Sequence, residues 1–204
     1  MALLQIVKEG DPVLRGTSRP VDKITPRIIR LLDDMRDTLE EAQGAGLAAP
    51  QVGVLRRIVL VNVEDVLYEL INPEIIERSD DVQRKVEGCL SVPDKWGITV
   101  RPKTVKVRAM NRDGETVEYT GTGLLARAFC HELDHLDGKL YTDNVVRMLT
   151  DKEVERLSDG RKIKGVDEDD EADEDALPEE SEAEENADES GSESDEEFAD
   201  SDEE

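Results

Sequence analysis

Apolar and polar positions change their spacing along the chain, and the changes mark out its elements. Leu3 to Val7 is an apolar stretch that runs into a Gly10-Asp11-Pro12 turn; Val13 to Arg15 and Arg19 to Val21 read as extended segments along the surface. Thr25-Pro26 opens a helix in which Ile28, Ile29, Leu32, Met35, Leu39 and Ala42 share one face, with Arg30, Asp33, Asp34, Arg36, Asp37, Glu40 and Glu41 opposite. It stops at Gly44. Arg57 to Val63 is a strongly apolar strand, and Tyr68 to Ile76 is a second, with Pro73 placing it at an edge or a bulge. From Gly97 to Thr120 alternation takes over: Ile98, Val100, Val105, Val107 and Ala109, the turn Asn111-Arg112-Asp113-Gly114, then Val117 and Tyr119. A helix from Leu124 ends at Gly138, and Thr150-Asp151-Lys152-Glu153 is a capping box for a short last helix.

Charge divides the chain in two. Residues 166–204 hold 23 Asp and Glu and no Lys or Arg, whereas residues 1–165 hold 28 acids against all 26 bases. The near-neutral part is long enough to bury a core and forms the expected domain, 1–165. The acidic part has too few apolar side chains to offset its ordering entropy, and 166–204 is expected to be a disordered tail. The start, Met1 to Val7, lacks the basic segment and long apolar run of a signal peptide, and no stretch is apolar enough to span a bilayer. A cytoplasmic protein with two reduced cysteines, Cys89 and Cys130, is the expectation.

The second long helix carries the only histidines, in His131-Glu132-Leu133-Asp134-His135. Four residues apart, both imidazoles stand on one helix face and can reach one metal ion, with Glu132 beside it to accept a proton from water. Arg127 and Ala128, one turn earlier, lie near that face. A water-activating metal site uses three protein ligands and keeps a fourth position open, so one more donor is needed. Cys89, in Val86-Glu87-Gly88-Cys89-Leu90-Ser91, supplies an accepted thiolate-imidazole-imidazole set; a buried structural cysteine is the competing reading. The loop Gly44 to Gly53 also has two readings: a tight connection that needs glycine, or small residues that let backbone approach a ligand. It is not a phosphate loop, since no Gly-Lys-Ser/Thr follows.

Three stretches, Gly44-Ala45-Gly46-Leu47-Ala48-Ala49-Pro50-Gln51, Glu87-Gly88-Cys89-Leu90-Ser91 and His131-Glu132-Leu133-Asp134-His135, together resemble the signature motifs of the peptide deformylases, in the same order. The likeness runs from about Leu3 to about Leu157 and includes Val100-Arg101-Pro102. It implies an α+β fold, with antiparallel sheets around a central helix that carries the His-Glu-x-x-His motif. It also implies removal of the formyl group from N-terminal formylmethionine of new polypeptides. Carried over by position, it makes Cys89, His131 and His135 the metal ligands, Glu132 the catalytic glutamate, and the Gln51 amide and Leu90 N–H the oxyanion donors. Gly46 pairs with the bound peptide and, with Glu87, Arg127 and Ala128, makes up the substrate-binding set; Glu87 and Arg101 pair to hold the cysteine loop, with a plain surface ion pair as the competing reading. The implied cofactor is one divalent ion, Fe2+ foremost, with Zn2+, Ni2+ and Co2+ also fitting. One departure is Cys130, where the family commonly has Gln. At about 100° from His131 on the helix it points away from the metal face.

Two other functions compete. A zinc endopeptidase shares the His-Glu-x-x-His helix but generally takes a third His or Glu downstream, whereas this chain has an upstream Cys and no third His. An acidic binding module is the other; its carboxylates favour basic partners such as ribosomal proteins and disfavour direct contact with nucleic acid.

Overall fold

The computed structural model describes residues 2–167. The acidic run from residue 168, expected to be disordered, lies outside the described residues. Expected and observed elements agree first at helix α1, Pro26–Glu41, which starts after Thr25 with Pro26 in its first turn. It buries Leu32, Met35 and Leu39. It ends before Gly44, at Ala42, and Gln43 takes the left-handed turn at φ 50°.

A five-stranded antiparallel sheet follows the order β1 (Gly46–Ala48), β2 (Ile58–Val63), β3 (Val66–Arg78), β6 (Thr104–Met110) and β7 (Thr116–Thr122). The period of two along β2 explains how it packs on both sides. Ile58 and Leu60 join Leu32, Met35 and Leu39 of α1, whereas Val59, Val61 and Val63 join helix α2, Gly123–Leu136, through Ala126, Phe129, Leu133 and Leu136. Pro73 does not sit on an edge, because β3 lies between β2 and β6; it occupies the register break between Ile71 and Glu74. Asn72 turns with φ 53° there, and its amide ties that break to the Val21 backbone at 2.8 and 2.9 Å.

A second sheet, β4 (Val82–Cys89), β5 (Val92–Pro102) and β8 (Val145–Met148), covers the other side of α2. The stretch from Gly97 to Thr120, expected as one antiparallel run, is thus divided between sheets at Lys103. The chain before α1 also departs from expectation. Pro12–Arg15 is a 3₁₀ turn, not an extended segment, because Asp11 Oδ1 accepts the Val13 N–H at 2.9 Å and Pro12 presets the backbone. Leu14 is consequently buried with Val92, Leu140 and Tyr141.

Helix α3, Asp151–Ser158, has half of its expected capping box in place: Glu153 Oε2 accepts the Thr150 N–H at 3.0 Å. The chain then returns across the outer face of the small sheet. Ile163 is buried, Arg147 donates to Lys164 O at 2.9 Å, and Asp167 N–H donates to Arg84 O on the outer edge of β4 at 2.9 Å. Packing therefore continues two residues beyond the expected boundary at 165. Among the described residues, no helix is long and apolar enough to cross a membrane.

Because α1 packs on the sheet face away from α2, Leu32→Ala is a test of scaffold alone. It is expected to lower the unfolding free energy by about 2 to 5 kcal/mol in urea titrations followed by circular dichroism, with little change in the rate per folded molecule.

Candidate active site

Three elements bring the site together. Strand β4 ends at Cys89, helix α2 presents His131 and His135 on successive turns, and β1 with the 3₁₀ turn Ala49–Val52 presents Gly46 and Gln51. The Cys89 sulfur and one ring nitrogen from each histidine lie within 4.8 Å of one another, with Sγ 3.3 Å from His135 Nε2. His131 Nδ1 is engaged by Glu87 Oε2 at 3.0 Å, which leaves Nε2 for an ion. The charge pattern suits a cation. Burial works against charge on His131, but the facing Cys89 and Glu87 outweigh it and raise its pKa well above the usual value. Burial and the His131 charge push His135 the other way, which keeps it neutral. A thiolate and two imidazoles that converge in this way fit a divalent transition metal.

Glu132 lies beside this cluster, 4 % exposed, and Oε2 has no hydrogen-bond partner among the described residues. Burial pushes its carboxyl up to about 7, against the opposing pull of His131. Gly46 makes room for it, because a Cβ there would lie 2.5 Å from Glu132 Oε1 and 2.6 Å from Cγ. The loop thus needs glycine at Gly46 for close approach to a side chain of the protein itself. Gln51 is fixed by the Ala48 N–H, which donates to Oε1 at 2.7 Å, so that Nε2 faces Cys89 Sγ at 3.5 Å and Ser91 Oγ at 3.3 Å.

Glu87 is not a surface partner. Thr99 Oγ1 and Arg101 Nε donate to Oε1 at 2.7 and 3.0 Å, and Arg101 Nη2 donates to Oε2 at 3.1 Å. With His131 also on Oε2, both oxygens are occupied from within. Burial would raise its pKa, but the bonds from His131 and Arg101 prevail and hold it at about 2. Arg101 Nη1 reaches Asp134 Oδ2 at 2.5 Å, so the pair expected between Glu87 and Arg101 extends onto α2.

A cavity of about 510 Å³ opens over these groups. Arg127 and Ala128 border it as expected, with Leu90 and Gly44 at one side and Trp96 and Leu124 at the mouth. Trp96 lies flat over Gly88, where an added Cβ would be 2.6 Å from the ring. The pairing of β4 with β5 makes them neighbours, which the chain order alone does not reveal. Tyr141 was also missed: it stacks on His131 at 6.0 Å and donates its hydroxyl to Lys95 O at 2.8 Å. Lys8 Nζ donates to Leu90 O at 2.7 Å, a contact between distant segments with no local signal. Cys130 is buried on the far side of α2, beside Arg101 and Asp134, and burial pushes its thiol up to about 11.

The chain matches the family model for polypeptide deformylase over residues 3–151. It is 51 % identical over 162 residues to a peptide deformylase of Acetivibrio thermocellus, covering 79 % of this chain and 95 % of the relative. Against one from Alkaliphilus metalliredigens it is 54 % identical over 147 residues, covering 72 % and 99 %. The crystal structure of peptide deformylase from Thermotoga maritima superposes with a TM-score of 0.70 at 38 % identity, over 72 % of this chain and all of that one. An actinonin-bound deformylase from Acinetobacter baumannii gives 0.68 at 35 %, over 71 % and 99 %. Sequence, fold and the Cys-His-His cluster agree, and the chain belongs to the peptide deformylase family, hydrolases that remove the N-terminal formyl group from newly made peptides.

Proposed function

We propose that the residues around this cavity divide the deformylation of N-formylmethionyl peptides as follows. Cys89, His131 and His135 hold one divalent ion, ferrous iron natively, with zinc, nickel and cobalt compatible with the same donors. When bound, the ion acidifies water and polarises a carbonyl. Glu132 takes the proton from the attacking water and later gives it to the departing amine, which yields formate and a free α-amino terminus. Gln51 Nε2 and the Leu90 N–H stabilise the charge that develops on the formyl oxygen, each such donor typically contributing about 3 kcal/mol. The observation that carries this reading is the unpartnered Glu132 Oε2 beside the Cys89-His131-His135 cluster.

Gly46 lets the peptide backbone and Glu132 approach from opposite sides, while Leu90, Arg127 and Ala128 border the methionine side chain. Glu87 is reassigned from substrate contact to positioning: with both oxygens engaged internally, it orients His131 and ties it to Arg101. The upstream thiolate, in place of a downstream His or Glu, sets this arrangement apart from an endopeptidase. Residues 1–165 and the two that follow form the catalytic unit, which works in the cytoplasm where formylated chains emerge. The acidic tail is an accessory element, with basic ribosomal proteins as its fitting contacts.

The direct test is formate release from formyl-Met-Ala-Ser by anaerobically purified protein with its metal quantified. Glu132→Gln is expected to keep the metal and lose at least ~100-fold in rate; a metal-loaded wild type that makes no formate, or a Gln variant at full rate, sinks the reading. Gly46→Ala displaces Glu132 without touching a ligand, so kcat is expected to fall about 100-fold at unchanged metal content. Glu87→Gln is expected to weaken metal affinity about 10- to 100-fold in chelator competition, and unchanged affinity would remove Glu87 from its positioning role.

A further inference from the structure

The two donors assigned to the oxyanion, Gln51 Nε2 and the Leu90 N–H, come from separate parts of the chain, and one short segment near its start holds both. Val7 N–H donates to Gln51 O at 2.8 Å, Lys8 Nζ to Leu90 O at 2.7 Å, and Glu9 N–H to Ser91 O at 2.7 Å. Lys95 Nζ, on the strand after the turn, donates to Glu9 Oε2 at 2.8 Å. Val7 also joins the apolar cluster that takes in Cys89 and Val92.

Leu90 and Ser91 are the two central residues of the tight turn between β4 and β5, since Cys89 pairs with Val92. A two-residue hairpin turn that matches the twist of its strands needs a positive φ at its first central residue or at both. The turn between β2 and β3 meets this need, with Glu64 and Asp65 at φ 55° and 62°. Neither Leu90 nor Ser91 has a positive φ, and the register shifts between Glu87 and Cys89 just ahead of them. This turn therefore does not set its own shape. Both of its carbonyls are instead held from outside, by Lys8 and by Glu9. Of the three bonds from Val7 to Glu9, only the one from Lys8 comes from a side chain. Lys8 is exposed, and it borders the cavity.

Resting on the functional reading above, we infer that Lys8 is a positioning residue for deformylation: by holding the Leu90 carbonyl, its ammonium keeps the Leu90 N–H aimed at the oxygen that gains charge. The N–H and the carbonyl of Leu90 lie on adjoining peptide planes, so fixing one plane limits how far the other can turn. Cys89 keeps its own pairing with Val92, and His131 is oriented by Glu87, so the ligand cluster does not depend on Lys8. The effect falls on the step in which charge develops, not on the binding of the peptide.

The test measures kcat and KM for formyl-Met-Ala-Ser with full-length, metal-loaded protein, the rate expressed per folded molecule. Lys8→Met keeps an apolar stem without a donor. It is expected to lower kcat about 10-fold, less than the ~100- to 1,000-fold typical when an oxyanion donor is deleted outright. KM, and the affinity for the product Met-Ala-Ser, which lacks the formyl oxygen, are expected to change less than ~2-fold. Metal content is expected to stay the same. Lys8→Arg, which offers the carbonyl another charged donor, is expected to restore kcat to within ~3-fold of the native value. Full kcat in Lys8→Met, a raised KM at unchanged kcat, a loss of metal that accounts for the loss of rate, or an Arg variant as slow as the Met variant would each overturn the positioning role alone. No formate from the native protein would mean that the functional reading itself is wrong.

Discussion

The site depends on one buried carboxylate. Glu87 on β4 accepts from Thr99 and Arg101 on β5 and contacts His131 on α2, while Arg101 reaches on to Asp134 of the same helix. Cys89 stands on the small sheet and both histidines on the helix, so the spacing of Cys89 from His131 and His135 is only as firm as the joint between sheet and helix. Apolar packing secures the opposite side of α2 against the large sheet. On the side toward the small sheet the joint is polar. Such a joint is directional where an apolar one can slide, and removing one partner of a buried pair typically costs about 3 to 5 kcal/mol because the other is left uncompensated.

The same joint explains how α2 carries so many ionisable groups out of water. Glu132 and His135 are both nearly inaccessible, and each leaves one polar atom without a partner, Glu132 Oε2 and His135 Nδ1. An unsatisfied buried polar atom costs about 1 to 3 kcal/mol, which a helix held only by local propensity would not sustain. Here the helix is held by Ala126, Phe129, Leu133 and Leu136 at fixed intervals, so apolar packing offsets that cost and keeps Glu132 at the cavity. Gly46 completes the arrangement from β1, since any side chain there would occupy the space of the Glu132 carboxylate.

Elements governed by local period were legible in the sequence: α1 from its six-residue apolar stripe, β2 from its run, the β6–β7 hairpin from alternation around Asn111 to Gly114, and α2 from its histidines and Gly138. What stayed hidden depends on distant pairing. Strand β8 has four residues, and only its register against Gly97 to Thr99 makes it a strand. Glu87 and Arg101 have the composition of an exposed pair, and nothing short of the β4–β5 register places them under a helix. The 3₁₀ turn after Asp11 had a readable signal, an Asp before Pro, that an apolar count over Val13 and Leu14 obscured. The convergence of Cys89, His131 and His135 was legible because residue chemistry narrowed the choice: two histidines exist, and they share a helix turn. The mouth of the cavity was not, because Trp96 and Lys8 have no chemistry that singles them out before the fold brings them there.

The division of charge then acquires a physical meaning. A catalytic body with 28 acids and 26 bases has almost no long-range field of its own, so the 23 carboxylates that follow dominate the potential around the molecule. The potential of such charges falls off over about one screening length, roughly 8 Å at physiological salt.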